Sequence, residues 1–114
     1  MNAFTAYPDR DALLQQAKEL SARHNIPQAL RILARLEALY PHFSRLYQAR
    51  GHCYVLLGEA QAAIAALRTA VQLNPTLPMS WDMLAQLYAL SGDPQRAAEA
   101  AQQLAVLKAL PPEV

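Results

Sequence analysis

Apolar residues along the chain recur at spacings of three and four, the period that lays them on one face of a helix. Tyr47, Gly51 and Tyr54 form one such stripe, and Ala63, Leu67 and Ala70 form the next. No stretch alternates apolar and polar residues as a half-buried strand would. Short breaks punctuate the stripes. Gly58 adopts positive φ at low cost and can stop a helix. In Gly92-Asp93-Pro94, the glycine closes one helix, the aspartate caps the next and the proline fits its first turn. His24-Asn25-Ile26-Pro27 serves the same purpose earlier, with Asn25 as the expected cap. Pro41 and Pro75 end the intervening segments, because the residue before a proline avoids the α region. The pattern predicts an all-α chain of six antiparallel helices, near 9–23, 26–40, 43–57, 60–74, 78–91 and 94–109.

Shifting the chain against itself by 34 residues aligns residue types throughout. Leu13, Tyr47 and Trp81 share one slot; Ala17, Gly51 and Ala85 the next; then Leu20, Tyr54 and Tyr88. His24, Gly58 and Gly92 coincide, as do Ala29, Ala63 and Ala97, and then Leu33, Leu67 and Ala101. Leu36, Ala70 and Leu104 follow, with Leu39, Leu73 and Leu107 after them. Pro41 and Pro75 close the first two copies, and Pro111 falls two residues late in the third. Gly51 and Ala63 let two helix backbones approach, while Tyr47, Tyr54 and Leu67 fill the space beside them. A hairpin of this kind cannot bury its apolar face alone, so three copies stack on one continuous core. Burial is expected for Leu33, Tyr54, Leu67, Trp81, Tyr88 and Leu104.

This order of aromatic, small, aromatic, small, bulky and proline residues resembles the tetratricopeptide repeat family. The likeness runs from Arg10 to Ala109. It implies an α-solenoid of three helix-turn-helix hairpins in a right-handed superhelix, divided as 10–43, 44–77 and 78–111. A lead-in over 1–9 and a tail over 112–114, a point of truncation, complete the division. The family's concave face, lined by the first helix of each repeat, holds an extended peptide or a partner's helix.

Composition narrows the function. Among 114 residues there are three glycines and two phenylalanines, and 54% of the chain is hydrophobic, which favours packed helices over sheet. The net charge is +1 with signs interspersed, so neither a nucleic-acid footprint nor a basic membrane-binding face is expected. No secretory signal precedes Asp9, and no apolar run is long enough to span a bilayer. Cys53 is the single cysteine and fits a reducing compartment. Cytoplasmic residence is the expectation.

Candidate chemistry is sparse. His24, His42 and His52 lack a ligating partner three or four residues away, so no metal or cofactor is expected. Adjacent His52 and Cys53 diverge by about 100° around a helix and do not make a nucleophile–base pair. Arg50, one turn before Cys53, would act to lower the thiol's pKa; a buried structural thiol is the favoured reading. Trp81, Tyr47, Tyr54 and Tyr88 sit in packing slots, whereas Tyr7 and Tyr40 lie outside the shared pattern, where surface contacts are expected. Arg50 is a misfit where the third copy has Leu84. Its stem should pack and its head should reach a carboxylate, for which Glu37 is the candidate. No enzymatic constellation emerges.

The groove is the one site this reading offers. Asp11, Leu14 and Lys18 on the first helix, Arg45, Gln48 and His52 on the third, and Met79, Asp82 and Gln86 on the fifth face it. Some members of the family bind chaperone C-termini through a clamp of Lys, Asn and Arg. The matching positions here are Leu14, Lys18, Ala49, Met79 and Met83, so that clamp is missing. The expected role is a non-catalytic protein-interaction module for a peptide or partner helix. From Arg45 to Val114 the chain also resembles the N-terminal repeat region of bacterial sulfotransferases, in Arg45-Leu46-Tyr47, Leu77-Pro78-Met79-Ser80-Trp81 and the ending Leu107-Lys108-Ala109-Leu110-Pro111-Pro112. That likeness implies a regulatory or assembly region of a larger enzyme, inactive by itself. Finally, apolar residues go most of the way round the last helix. A second copy docking on it is therefore expected.

Overall fold

The computed structural model describes residues 9–111. The lead-in before Asp9, Tyr7 included, and the tail over 112–114 lie outside the described residues. Six helices follow in order: α1 (Arg10–Ala22), α2 (Ile26–Leu39), α3 (Ser44–Leu56), α4 (Ala60–Leu73), α5 (Pro78–Leu90) and α6 (Pro94–Ala109). No strand occurs among the described residues. Each helix packs on its neighbours in sequence, and α1 also touches α3. The result is a slab 22 Å thick, the depth of two helix layers.

The three hairpin turns share one hydrogen-bonded device. His24, Gly58 and Gly92 all take left-handed backbone, with φ of 62°, 74° and 77°. The N–H of the following residue then reaches back to a carbonyl five positions earlier: Asn25 to Leu20, Glu59 to Tyr54 and Asp93 to Tyr88, at 2.8–2.9 Å. This is the Schellman closure, which satisfies carbonyls the helix end leaves free. The helix starts are less uniform. Asp93 Oδ1 accepts from the Arg96 N–H at 3.1 Å and Asp9 Oδ1 from the Asp11 N–H at 2.9 Å. Asn25 makes no side-chain cap bond, contrary to its expected part; Pro27 in the first turn of α2 supplies the preset φ instead.

Close approach within the middle hairpin depends on Gly51. A Cβ placed there would stand 2.6 Å from Leu67 Cγ, well inside contact distance. Leu67 is fully buried as a result, and so are Leu33, Ala63 and Ala29. α4 serves two core regions: Ala70 joins Leu33, Leu36 and Leu46 on one side, while Ala63 and Leu67 join Leu84, Leu87 and Ala100 on the other.

Tyr54, Trp81, Tyr88 and Leu104 are half-buried, less than their repeat slots suggest. The slot of Leu20, Tyr54 and Tyr88 is half-buried in all three copies; for Trp81 and Leu104 the reason lies in the last copy. Where Leu33 and Leu67 fill the core, α6 offers Ala101, which is exposed, and Ala100 is its one buried residue. The packing slots of the third hairpin therefore stay partly open.

Candidate functional site

The expected groove residues come from α1, α3 and α5. Asp11, Lys18, Arg45, His52, Asp82 and Gln86 are exposed, Gln48 is intermediate, and Met79 is 61% exposed. Leu14 departs from the expectation. It is buried with Leu13 and Ala17 in the core, because its position on α1 turns toward the hairpin interior. Asp11 and Arg45 line one open, largely polar cleft of about 400 Å³ with Arg10, His42 and Phe43. There the Arg10 guanidinium lies over the Phe43 ring, 4.4 Å from its centre, and pairs loosely with Asp11 at 3.7 Å. Lys18, Gln48, His52, Met79, Asp82 and Gln86 lie outside that cleft.

The best-defined polar cluster joins the first two hairpins. Arg50 Nη2 donates to Glu37 Oε1 at 3.0 Å, and the Tyr47 hydroxyl contacts Glu37 Oε2 at 3.3 Å. The same hydroxyl donates to the Pro41 carbonyl at 2.7 Å. One repeat later, Trp81 Nε1 donates to the Pro75 carbonyl, also at 2.7 Å. The slot that reads as aromatic packing thus also ties the inter-repeat turn to the next helix. Hydrogen bonding from Arg50 holds the Glu37 carboxyl below its ordinary pKa against the opposing effect of desolvation. Burial, reinforced by the neighbouring Glu37, pushes the Tyr47 phenol up. Burial also pushes the Cys53 thiol up and outweighs Arg50's opposing field. Cys53, 1% exposed, is therefore a packed thiol held away from its nucleophilic form. No group of three His, Cys, Asp or Glu side chains among the described residues could hold a metal ion. No helix there is long and apolar enough to cross a membrane.

A further cleft, of about 280 Å³, lies between α4, α5 and α6, with Trp81, Tyr88, Arg68 and Arg96 around it. The residue pattern gives no signal for it. Arg68 and Arg96 are isolated arginines on mixed helices, and the aromatic slots read as packing alone.

Residues 44–77, the span of α3 and α4, match the tetratricopeptide repeat family. The same fold recurs in solved structures across most of the chain. The crystal structure of MamA superposes with a TM-score of 0.79 at 25% identity, over 88% of this chain and 58% of that one. The chain has the fold of a tetratricopeptide-repeat array. The type III secretion translocator chaperone SycD of Yersinia enterocolitica shares the fold, with a TM-score of 0.80 at 18% identity, over 90% of this repeat chain and 77% of its own. SycD in complex with a peptide of the translocator YopD matches with a TM-score of 0.81 at 19% identity, covering 90% and 78%. The repeats here span little more than half the length of MamA. No curated protein matches the sequence. None of the structures named is a sulfotransferase, and the likeness drawn over 45–114 finds no support among them.

Proposed function

We propose that the chain is a protein-interaction module whose first-helix face, on α1, α3 and α5, receives a peptide or a partner's helix. One observation carries this reading. Lys18, Arg45 and Asp82 stand exposed on that face without an ion-pair partner among the described residues, so their charge is available to an incoming chain, and His52 is exposed on the same face. A peptide held by SycD, which has this fold, gives a precedent for the geometry. The mixed signs, with Lys18 and Arg45 against Asp11 and Asp82, suit a partner of alternating charge. Binding rather than catalysis is the reading that the repeat architecture supports, and cytoplasmic residence goes with it. The outward face of α6 is, within the same reading, where a second copy docks.

The test is photo-crosslinking from Gln48 and Gln86, two positions on this face, in cells expressing the chain. A discrete cross-linked protein should appear from both positions and vanish when Arg45→Glu and Asp82→Arg are combined, with the far-UV spectrum unchanged. Cross-linking that survives the double reversal would place binding elsewhere.

A further inference from the structure

Two clefts open on the side of the second helices, one at each junction between hairpins. Their linings correspond at the repeat offset, so the two are copies of one structural position. Their chemistry is inverted. At the first junction the floor is polar, formed by Glu37 and Arg50 bonded to each other, and the rim is alanine, at Ala62 and Ala65. At the second junction Val71 and Leu84 take the floor, 8% and 1% exposed, and Arg96 and Glu99 take the rim. Arg68 joins that rim from α4, where the earlier copy has Ala34.

An apolar floor within a charged rim is the layout of an anchor pocket, in which a buried contact supplies affinity and the rim supplies orientation. The rim cations are under-used by the chain itself. Arg68 is exposed and has no hydrogen bond or ion pair among the described residues. Arg96 is held only at 3.7 Å from Asp93 and lies over Tyr88, 6.0 Å from the ring centre. Glu99, also without a cation partner there, leaves the rim with two cations to one anion. At about 280 Å³ the cleft falls below the roughly 300–1,000 Å³ of sites for drug-sized ligands, and suits one side chain.

We propose that this cleft between α4, α5 and α6 is a second docking site, which takes an acidic peptide segment carrying one apolar anchor side chain. The anchor rests on Val71 and Leu84 between the rings of Trp81 and Tyr88. A carboxylate beside it is taken by Arg68 and Arg96. Arginine is suited to this because its planar donors match a carboxylate in pairs. The surface is separate from the first-helix face, and each can be lost without the other.

Trp81 is the only tryptophan, so its fluorescence reports the cleft directly. The full chain is titrated with an acidic hexapeptide bearing one central leucine, and with the same peptide carrying lysines for its acids. The acidic peptide should give a saturable change in Trp81 emission, and the basic one should bind at least about tenfold more weakly. Arg68→Glu with Arg96→Glu should weaken the acidic peptide by about tenfold or more, and the milder Arg68→Gln with Arg96→Gln should act in the same direction. Glu99→Gln should tighten it, by about twofold, by removing the opposing charge. The combined Arg45→Glu and Asp82→Arg variant should leave this titration unchanged, whatever it does at the first-helix face. Absence of saturation into the millimolar range would overturn the proposal. So would equal binding of the basic peptide, or binding that survives loss of both rim arginines.

Discussion

Arg50 and Glu37, joined at 3.0 Å, occupy the two positions that Leu84 and Val71 hold one repeat later. The same structural slot is thus filled by an ion pair at the first junction and by an apolar pair at the second. The Arg50 side chain is 17% exposed and Glu37's is 46%, so water still reaches the carboxylate. Pairs of this exposure typically contribute about 0–1 kcal/mol. Arg50→Leu alone should destabilise modestly, because Glu37 loses its cation while the Tyr47 hydroxyl keeps both Glu37 and Pro41. Arg50→Leu with Glu37→Val, which copies the second junction, should restore or exceed the original stability, as apolar replacements of ion pairs often do. A double-mutant cycle in urea measures this. The pH dependence has a definite sign. Folding lowers the Glu37 pKa from its ordinary 4.5, so the pair's contribution is fully present above that value and fades as pH falls through the lower folded value. The coupling should therefore be constant near neutrality and shrink in acid.

The repeat offset made much of this structure legible. Helix number, the three turns, the closeness of Gly51 to Leu67 and the Arg50–Glu37 pair all follow from which residue types recur and which slot is broken. The misfit Arg50 was informative because a guanidinium among apolar slots must find an acceptor. What periodicity could not convey is how far each slot closes. Trp81 matches Tyr47 in type, yet stays half-buried where Tyr47 is buried, because α6 presents Ala101 where Leu33 and Leu67 stand. Leu14 misled for a related reason: spacing along α1 gives a face, and the hairpin's own rotation decides which edge of that face is covered.

The turn glycines and Gly51 are required for different physical reasons and should respond differently to substitution. Gly51→Ala puts a methyl group 2.6 Å from Leu67 Cγ, with the fully buried leucine unable to retreat, and should cost about 1–3 kcal/mol through overpacking. Gly58→Ala meets nothing within 4 Å and should cost only the left-handed backbone penalty, about 1–2 kcal/mol. His24 already bears that penalty at φ 62°, so His24→Gly should raise the melting temperature. If His24→Gly lowers it, the imidazole has a stabilising contact that outweighs its strained backbone.

Ser80 is wholly buried, at the position where the preceding copy has Leu46, and its hydroxyl has no hydrogen-bond partner among the described residues. An unsatisfied buried hydroxyl costs about 1–3 kcal/mol. Ser80→Ala should therefore stabilise the third hairpin, read as a higher urea midpoint at an unchanged slope. A lower midpoint would show that the hydroxyl is satisfied in solution.

The last helix carries the prediction about assembly. Ala100 is the one buried residue of α6, and Ala97, Leu104 and Leu107 are half-covered by the rest of the hairpin. Ala98, Ala105, Val106 and Ala109 point away from it, with Val106 51% exposed and Leu110, just beyond the helix, 58%. Polar relief on that outward side comes chiefly from Gln95, Glu99 and Gln102. Repeat arrays ordinarily carry a more polar outer face on a terminal helix. Two copies meeting about a two-fold axis would remove these residues from water at both α6 surfaces at once. The chain should therefore show concentration-dependent association by sedimentation. Val106→Glu should abolish it while leaving helicity and melting temperature intact, since Val106 makes little of the internal core. Leu107→Glu is the less clean probe, because Leu107 faces partly inward and its loss would also loosen the hairpin. A strict monomer at high micromolar concentration would refute the prediction and mean that an alanine-rich outer face is tolerated by water without a partner.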